Sequence, residues 1–405
     1  MTYKFTPEGM VIPRGYGRRL HDLAVAVGSP ITWTDHRVTA VTEYLNRLIG
    51  VDLRSYQHRI IHATRERPQG VIVSPTGSGK TITALELIRM RSQLAVILVH
   101  SQSLADQWRK VILEKMGIQA GMIGGGDWTV GREITVAMMQ TLTARPEQAR
   151  QFASSVGMVI VDECHHAPAG TFAEVIGMFP ARYRYGFTAT PKRGDGLEQI
   201  VYRLLGDVVA NVSPDEVQDM GGIVQAVVET YDTGCHFDGI DPQDKRAWSK
   251  LVEALVMDRR RNQLIAGLAK SMGMRQTLVL TDRVEHAETL ATMIHGALLI
   301  HGKLPAKERT LRMGMMTSAR VVVGTKGLLG EGLDCSVWSA LIMASPISGA
   351  TPLLQAVGRV IRPAPGKTNG VVIDLVDGHP YTLGMFRKRA SVYRQRQWPI
   401  RKVAA

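Results

Sequence analysis

A chain of 405 residues with 45% hydrophobic residues is long enough for two or three domains and apolar enough for packed cores, which excludes an intrinsically disordered polypeptide. Its formal net charge of +13 speaks for a polyanionic partner. The three cysteines, Cys164, Cys235 and Cys335, are too few and too scattered for a disulfide framework or a zinc site and fit a reducing, cytoplasmic compartment. No run approaches the ~20 apolar residues of a membrane span, and MTYKFTPEGM lacks the pattern of a secretory signal.

Residues 1–47 read as a short N-terminal extension, carrying Arg14, Arg18 and Arg19 beside Tyr3, Phe5 and Tyr16. Such a segment either touches nucleic acid or packs on the domain that follows. Between 48 and 210, Val/Ile-rich runs at 70–75, 94–100, 133–138, 157–163 and 183–190 alternate with helix-compatible stretches. Nearly continuous apolar runs suit strands buried on both faces, and the intervening lengths suit crossover helices. The alternation lapses over 211–257, a connecting region with Asp215, Glu216 and Asp219 and one strand at 223–231. It resumes over 258–405, with a helix at 258–272 and strands at 276–281, 297–302, 319–325, 339–345 and 370–377. The fold class expected is α/β, two tandem domains with parallel sheets.

SPTGSGKT at 74–81 follows a strand and opens a helix, the context of a phosphate-binding loop. Gly77 and Gly79 allow backbone N–H groups, with those of Thr76 and Ser78, to converge on phosphate oxygens, and the helix N-terminus adds its positive end. Lys80 would reach the β/γ-phosphates of ATP and Thr81 would ligate Mg2+. VIVDECHH at 159–166 ends a strand with two carboxylates, where ligands bind in open α/β sheets. Asp162 is placed to hold the metal and Glu163 to orient or deprotonate the attacking water; His165 follows.

Other motifs stand in order around these two: LRSYQ (53–57), LVHSQSLADQW (98–108), MMQTL (138–142), TAT (188–190), VLTDRVEHAETL (279–290), GTKGLLGEGLD (324–334) and QAVGRVIRP (355–363). With DECH at 162–165, the set resembles the superfamily 2 helicases of the DEAH/DExH type. YGFTATPKRGDGLE (185–198) resembles the XPB-like branch, similar to phage and bacterial DNA helicases. The resemblance covers about residues 50–380 and implies two RecA-like domains, ATP and Mg2+ as ligands, and a nucleic-acid partner, DNA rather than RNA, bound without a membrane by a monomer. It further implies that Gln57 reads the adenine, that 98–108 and 138–142 line the nucleic-acid track, that Gln355 lies at the domain interface, and that Glu331 and Asp334 lie near the ATP ribose or at the domain interface.

Arg359 and Arg362 carry a logic of their own. Three residues apart on a helix they would share a face, and an arginine supplied from a second domain can stabilise charge on a transferring phosphoryl group. The tail after Asp377 carries no acidic residue and interleaves Arg387, Lys388, Arg389, Arg394, Arg396, Arg401 and Lys402 with Tyr393 and Trp398, a solvated face or a nucleic-acid contact. The activity expected is nucleic-acid-stimulated ATP hydrolysis driving unwinding or branch remodelling. The alternatives are a double-stranded DNA translocase or restriction-type motor subunit that does not separate strands, and a non-catalytic nucleic-acid-binding module.

Overall fold

The computed structural model describes residues 4–7, 9–29, 31–43, 45–164, 169–189, 198–237, 239–241, 244, 246–329 and 335–403. His165, Thr190, Glu331, Asp334 and Tyr3 lie outside them. The chain forms two compact units, Met1–Glu216 and Val217–Ala405.

In the first unit the order is β1 (Lys4–Thr6), β2 (Gly9–Val11), α1 (Gly17–Ala26), α2 (Ser55–Thr64), β3 (Gln69–Val73), α3 (Lys80–Arg91), β4 (Ala95–Val99), α4 (Gln102–Met116), β5 (Gly121–Gly124), β6 (Asp127–Thr129), β7 (Ile134–Met138), α5 (Met139–Ala144), α6 (Pro146–Ala153), β8 (Met158–Val161), α7 (Ala169–Met178), β9 (Tyr183–Thr188), α8 (Glu198–Leu205) and β10 (Val208–Asn211). The sheet runs β10-β3-β9-β8-β4-β7-β5-β6, parallel throughout except where β6 turns back on β5. Alternation sorts the strand side chains. Val71, Val73, Val96, Leu98, Val159 and Val161 form one core with Phe172, Val175 and Ile176 of α7, while Ile72, Ile97 and Ile160, equally buried, point the other way.

The N-terminal extension packs onto this unit. The Arg14 guanidinium donates to the carbonyls of Ala181 and Arg182, each at 2.5 Å. Gly15 sits so close to α8 that a Cβ there would lie 2.3 Å from the Tyr202 carbonyl oxygen.

After α9 (Pro214–Asp219), which carries the chain across the boundary, the second unit runs β11 (Gln225–His236), α10 (Ala247–Met257), α11 (Arg259–Ser271), β12 (Thr277–Thr281), α12 (Val284–Met293), β13 (Leu298–Ile300), α13 (Ala306–Gly314), β14 (Val321–Thr325), α14 (Lys326–Leu329), β15 (Ala340–Met343), α15 (Ala350–Val360), β16 (Asn369–Gly378), α16 (Pro380–Gln395) and β17 (Ile400–Val403). Its sheet, β13-β14-β12-β15-β16-β11-β17, is wholly parallel. The stretch read as a connector, 211–257, supplies one strand of the second sheet, since β11 pairs with β16 from Gln225↔Asn369 to Asp232↔Val376. The basic tail also departs from a purely solvated reading. Arg389 and Tyr393 of α16 are buried. Arg389 donates to both carboxylate oxygens of Asp374, and the Tyr393 hydroxyl donates to Asp374 at 2.7 Å.

Candidate functional site

Parallel strands bring all their C-terminal ends to one edge, and the first sheet places five of the sequence motifs there. The phosphate loop follows β3, Asp162 and Glu163 follow β8, Thr188 ends β9, and Ser101 and Met138 stand at the ends of β4 and β7. Ties between loops fix the edge. The Ser74 N–H donates to the Thr188 carbonyl at 2.8 Å, and the Gln140 amide donates to the His100 carbonyl at 3.0 Å, which joins 138–142 to 98–108. The side chain of Ser101 caps α4.

In the loop, Gly77 and Gly79 adopt φ of 84° and 77°, the left-handed region where a side chain is strained. Ser74 donates to the Ser78 hydroxyl at 2.7 Å, and that hydroxyl donates to the Pro75 carbonyl at 2.6 Å. Ser78 thus shapes the loop through its side chain. Thr76 lies half-buried within the loop, and Lys80 and Thr81 open the first turn of α3.

Lys80 donates to Glu163 Oε1 at 2.7 Å. Glu163 has φ of 45°, sparsely populated for a non-glycine residue and a form of strain concentrated at functional sites. Asp162, beside it, is buried. Its Oδ1 accepts the Glu163 backbone N–H and its Oδ2 accepts the Trp108 indole N–H, each at 2.9 Å. Burial, reinforced by the Glu163 charge, pushes the Asp162 carboxyl above its ordinary range, while Lys80 and the indole oppose that shift. Cys164 is core: burial drives its thiol far above the usual range, and a Cβ on Gly186 would lie 3.0 Å from its sulfur.

Gln57 is buried with its amide turned onto the phosphate loop. Nε2 lies 3.3 Å from the carbonyls of Ser78 and Gly79 and from the Thr83 hydroxyl, and Oε1 accepts the Arg54 N–H at 2.9 Å. In this conformation Gln57 braces the loop. Tyr56 does the same, its hydroxyl donating to the Ser78 carbonyl at 3.0 Å. Sequence reading missed Tyr56 and Trp108. Both lay inside quoted motifs, and a large polar aromatic in a helix beside a catalytic loop was the available signal.

On the second unit, Gln355 and Arg359 lie one turn apart on α15, with Arg359 in its last turn and buried. Arg362 does not share that helix. The helix ends at Val360, and Ile361 leaves it with φ −102° and ψ 4°. Pro363 supplies the reason, because a proline disfavours helical backbone at the residue before it. The expectation of one helical face for both arginines is therefore corrected. The segment 279–290 forms a buried polar cluster: Thr281 and Asn262 contact the two ring nitrogens of His286 at 2.7 and 2.9 Å. Lys326 donates to Asp282 at 2.9 Å.

A phosphate loop, an Asp-Glu pair and a parallel sheet that carries both at one edge define a nucleotide-hydrolysing α/β domain, here followed by a second parallel-sheet unit. Residues 50–193 match the family model "Type III restriction enzyme, res subunit" and residues 260–364 match "Helicase conserved C-terminal domain". "Probable helicase D10" of Escherichia phage T5 is 27% identical over 341 residues, 81% of this chain and 72% of that one. "DNA 3'-5' translocase XPB2" of Sulfurisphaera tokodaii is 32% identical over 167 residues, 41% of this chain but only 37% of the relative's length. The structure of S. cerevisiae Dbp5 bound to RNA and ADP BeF3 shares the fold at TM-score 0.65 and 17% identity, covering 86% of this chain and 89% of that one. The chain is a superfamily 2 helicase of the XPB-like, type III restriction-like kind, an ATP-dependent enzyme with two RecA-like domains.

Proposed function

We propose that the chain is an ATP-driven DNA motor that moves 3′→5′ as a monomer and unwinds or remodels branched DNA. The observation that carries this reading is the Lys80–Glu163 contact at 2.7 Å, set beside Asp162 at the C-terminal edge of the first sheet. The residues fit the groups the activity needs. Left-handed glycines keep side chains off the phosphate loop, and the Thr81 hydroxyl and Asp162 carboxylate are the hard oxygen donors that Mg2+ prefers. Thr81 and Asp162 would hold the metal, which would supply positive charge against the charge developing on the phosphates. Lys80 exchanges its carboxylate partner for the β/γ-phosphates, and this exchange frees Glu163 to orient and deprotonate the attacking water. Arg359 and Arg362 of the second unit, with Gln355, complete the hydrolytic site on closure during turnover. The segments at 98–108 and 138–142 line the DNA track, and phosphates supply most of the grip.

Support for DNA comes from the translocase relative and from the net charge of +13. The experiment compares ATPase stimulation by single-stranded DNA, branched DNA and RNA beside strand displacement on a forked duplex. Stimulation by DNA with displacement is expected. Stimulation without displacement would make the chain a translocase, and no hydrolysis under any condition would overturn the motor.

A further inference from the structure

A cavity of about 830 Å³ opens in the first unit among residues 14–21 and 33–37 of the extension and the start of β3, β9 and β10. It lies at the N-terminal ends of those strands, whereas the phosphate loop follows the C-terminal end of β3. Its volume falls in the range of small-molecule sites, roughly 300–1,000 Å³.

Five arginines line it, Arg14, Arg18, Arg37, Arg67 and Arg184. Two of them are held in like-charged company: burial, then the charges of Arg184 and Arg37, lower Arg14 to about 9, and burial, then Arg37, lower Arg184 to about 10. Of the carboxylates on the lining, Asp35 is committed to Arg37 through both oxygens, and Asp207 accepts from Arg19. Glu66 also lines the wall.

Buried polar atoms in folded proteins almost always have partners, and an orphan calls for a ligand, ion or water. Arg184 is only 7% exposed. One of its terminal nitrogens donates to the Phe179 carbonyl, but its Nε is buried with no hydrogen-bond partner among the described residues. The Nε of Arg14 is likewise orphaned, and so is the Oε1 acceptor of Gln69. Three orphaned polar atoms, two cationic donors and one acceptor, thus belong to residues of one cavity wall. At the rim Trp33 is 55% exposed, with the His21 ring 6.1 Å away. An exposed indole beside guanidiniums suits a base stacked next to its phosphate.

We propose that this cavity binds a phosphorylated nucleotide, distinct from the ATP at the phosphate loop. Arg37 and the Arg14–Arg184 pair take the phosphate, Gln69 accepts from the ribose or base, and Trp33 stacks on the base. The same chemistry is offered by a free mononucleotide and by the phosphorylated end of a single strand.

The test is calorimetric titration of the full chain with its ATP site saturated by a non-hydrolysable ATP analogue. The probes are dTMP, a thymidine hexanucleotide bearing a 5′-phosphate, and the same hexanucleotide without it. A further saturable event with dTMP, or with the 5′-phosphorylated strand in preference to the unphosphorylated one, supports the site, and which probe wins identifies the source. Arg37→Ala and Trp33→Ala should each weaken that event by about ten-fold, the scale of one lost charge-assisted or stacking contact. Both positions lie outside the ATP site, so ATPase activity and melting temperature should stay parental, which separates a binding loss from misfolding. If none of the probes binds beyond the ATP site, or if both variants bind as the parent does, the proposal is overturned.

Discussion

Lys80 and Glu163 neutralise one another at 2.7 Å, and their substitutions should separate into distinct phenotypes. Lys80→Ala removes the fixed charge that meets the β/γ-phosphates, so hydrolysis should be abolished and nucleotide affinity should fall. Glu163→Gln keeps the shape and leaves Asp162 in place, so ATP binding should survive while turnover stalls. Turnover near the parental rate in Glu163→Gln would contradict the role given to that carboxylate. Trp108 offers a subtler case. Its indole N–H is a buried donor to Asp162, and groups that orient a metal ligand typically matter by about 10–100-fold in metal affinity. Trp108→Phe preserves the ring and deletes the donor. The magnesium concentration for half-maximal ATPase should rise by about that factor, with the melting temperature little changed. An unaltered magnesium dependence would reduce Trp108 to packing.

At the scale of elements, long apolar strands were legible and polar or glycine-rich ones were not. The runs at 94–100 and 276–281 match β4 and β12 within a residue, because burial on both faces demands uninterrupted Val, Ile and Leu. β5 and β6 escaped notice because Gly124, at the end of β5, and Gly125 and Gly126 after it read as loop. The edge strand β17, with Arg401 and Lys402 exposed, carries no apolar pattern at all. In the site, residue types at fixed spacing revealed Lys80, Asp162 and Glu163. Residues acting through others, Tyr56 on the Ser78 carbonyl and Trp108 on Asp162, needed three-dimensional proximity. Buried polar clusters were equally invisible, and two of them carry predictions. Removing one partner of a buried ion pair costs about 3–5 kcal/mol, so Arg389→Ala, which strands Asp374, should lower the melting temperature markedly. A parental melting curve would refute the structural role of α16. His286 is buried, and burial, then the Arg261 charge, lowers it to about 3. Asn262 Oδ1 can only accept from Nε2, so Nδ1 accepts from Thr281 and the ring is neutral. Its folded value lies below the unfolded value of about 6.5, and the unfolded chain therefore binds the additional proton between the two. Stability from this network is complete above about pH 6.5 and declines as pH falls toward about 3, by at most about 1.4 kcal/mol per pH unit. His286→Gln should flatten the acid side of a plot of melting temperature against pH. An unchanged slope would assign the acid sensitivity elsewhere.

For the whole molecule, the decisive question is whether chemistry on one unit depends on side chains of the other. Lys80, Asp162 and Glu163 belong to the first unit, Gln355, Arg359 and Arg362 to the second. The proposed function rests ATP binding on the first set, so Arg359→Ala and Arg362→Ala should leave nucleotide affinity near the parental value. Hydrolysis should drop steeply, since an arginine finger contributes about 10³–10⁵ in rate in comparable phosphoryl transfers. The two positions need not be equal. Arg359 is buried on a helix, whereas Arg362 is half-buried and lies past the helix end, just before Pro363. Under the proposed cycle, in which DNA favours a closed state that delivers the arginines, stimulation by DNA should disappear together with the basal rate. Lysine should rescue poorly at either position, as a point charge does not reproduce the planar fork of guanidinium donors. The measurement is nucleotide affinity beside hydrolysis rate, with and without DNA, for the Ala and Lys variants at both positions. Parental DNA-stimulated hydrolysis in both Ala variants would mean that the first unit hydrolyses ATP alone, and the coupling of hydrolysis to movement would then have to arise elsewhere in the chain.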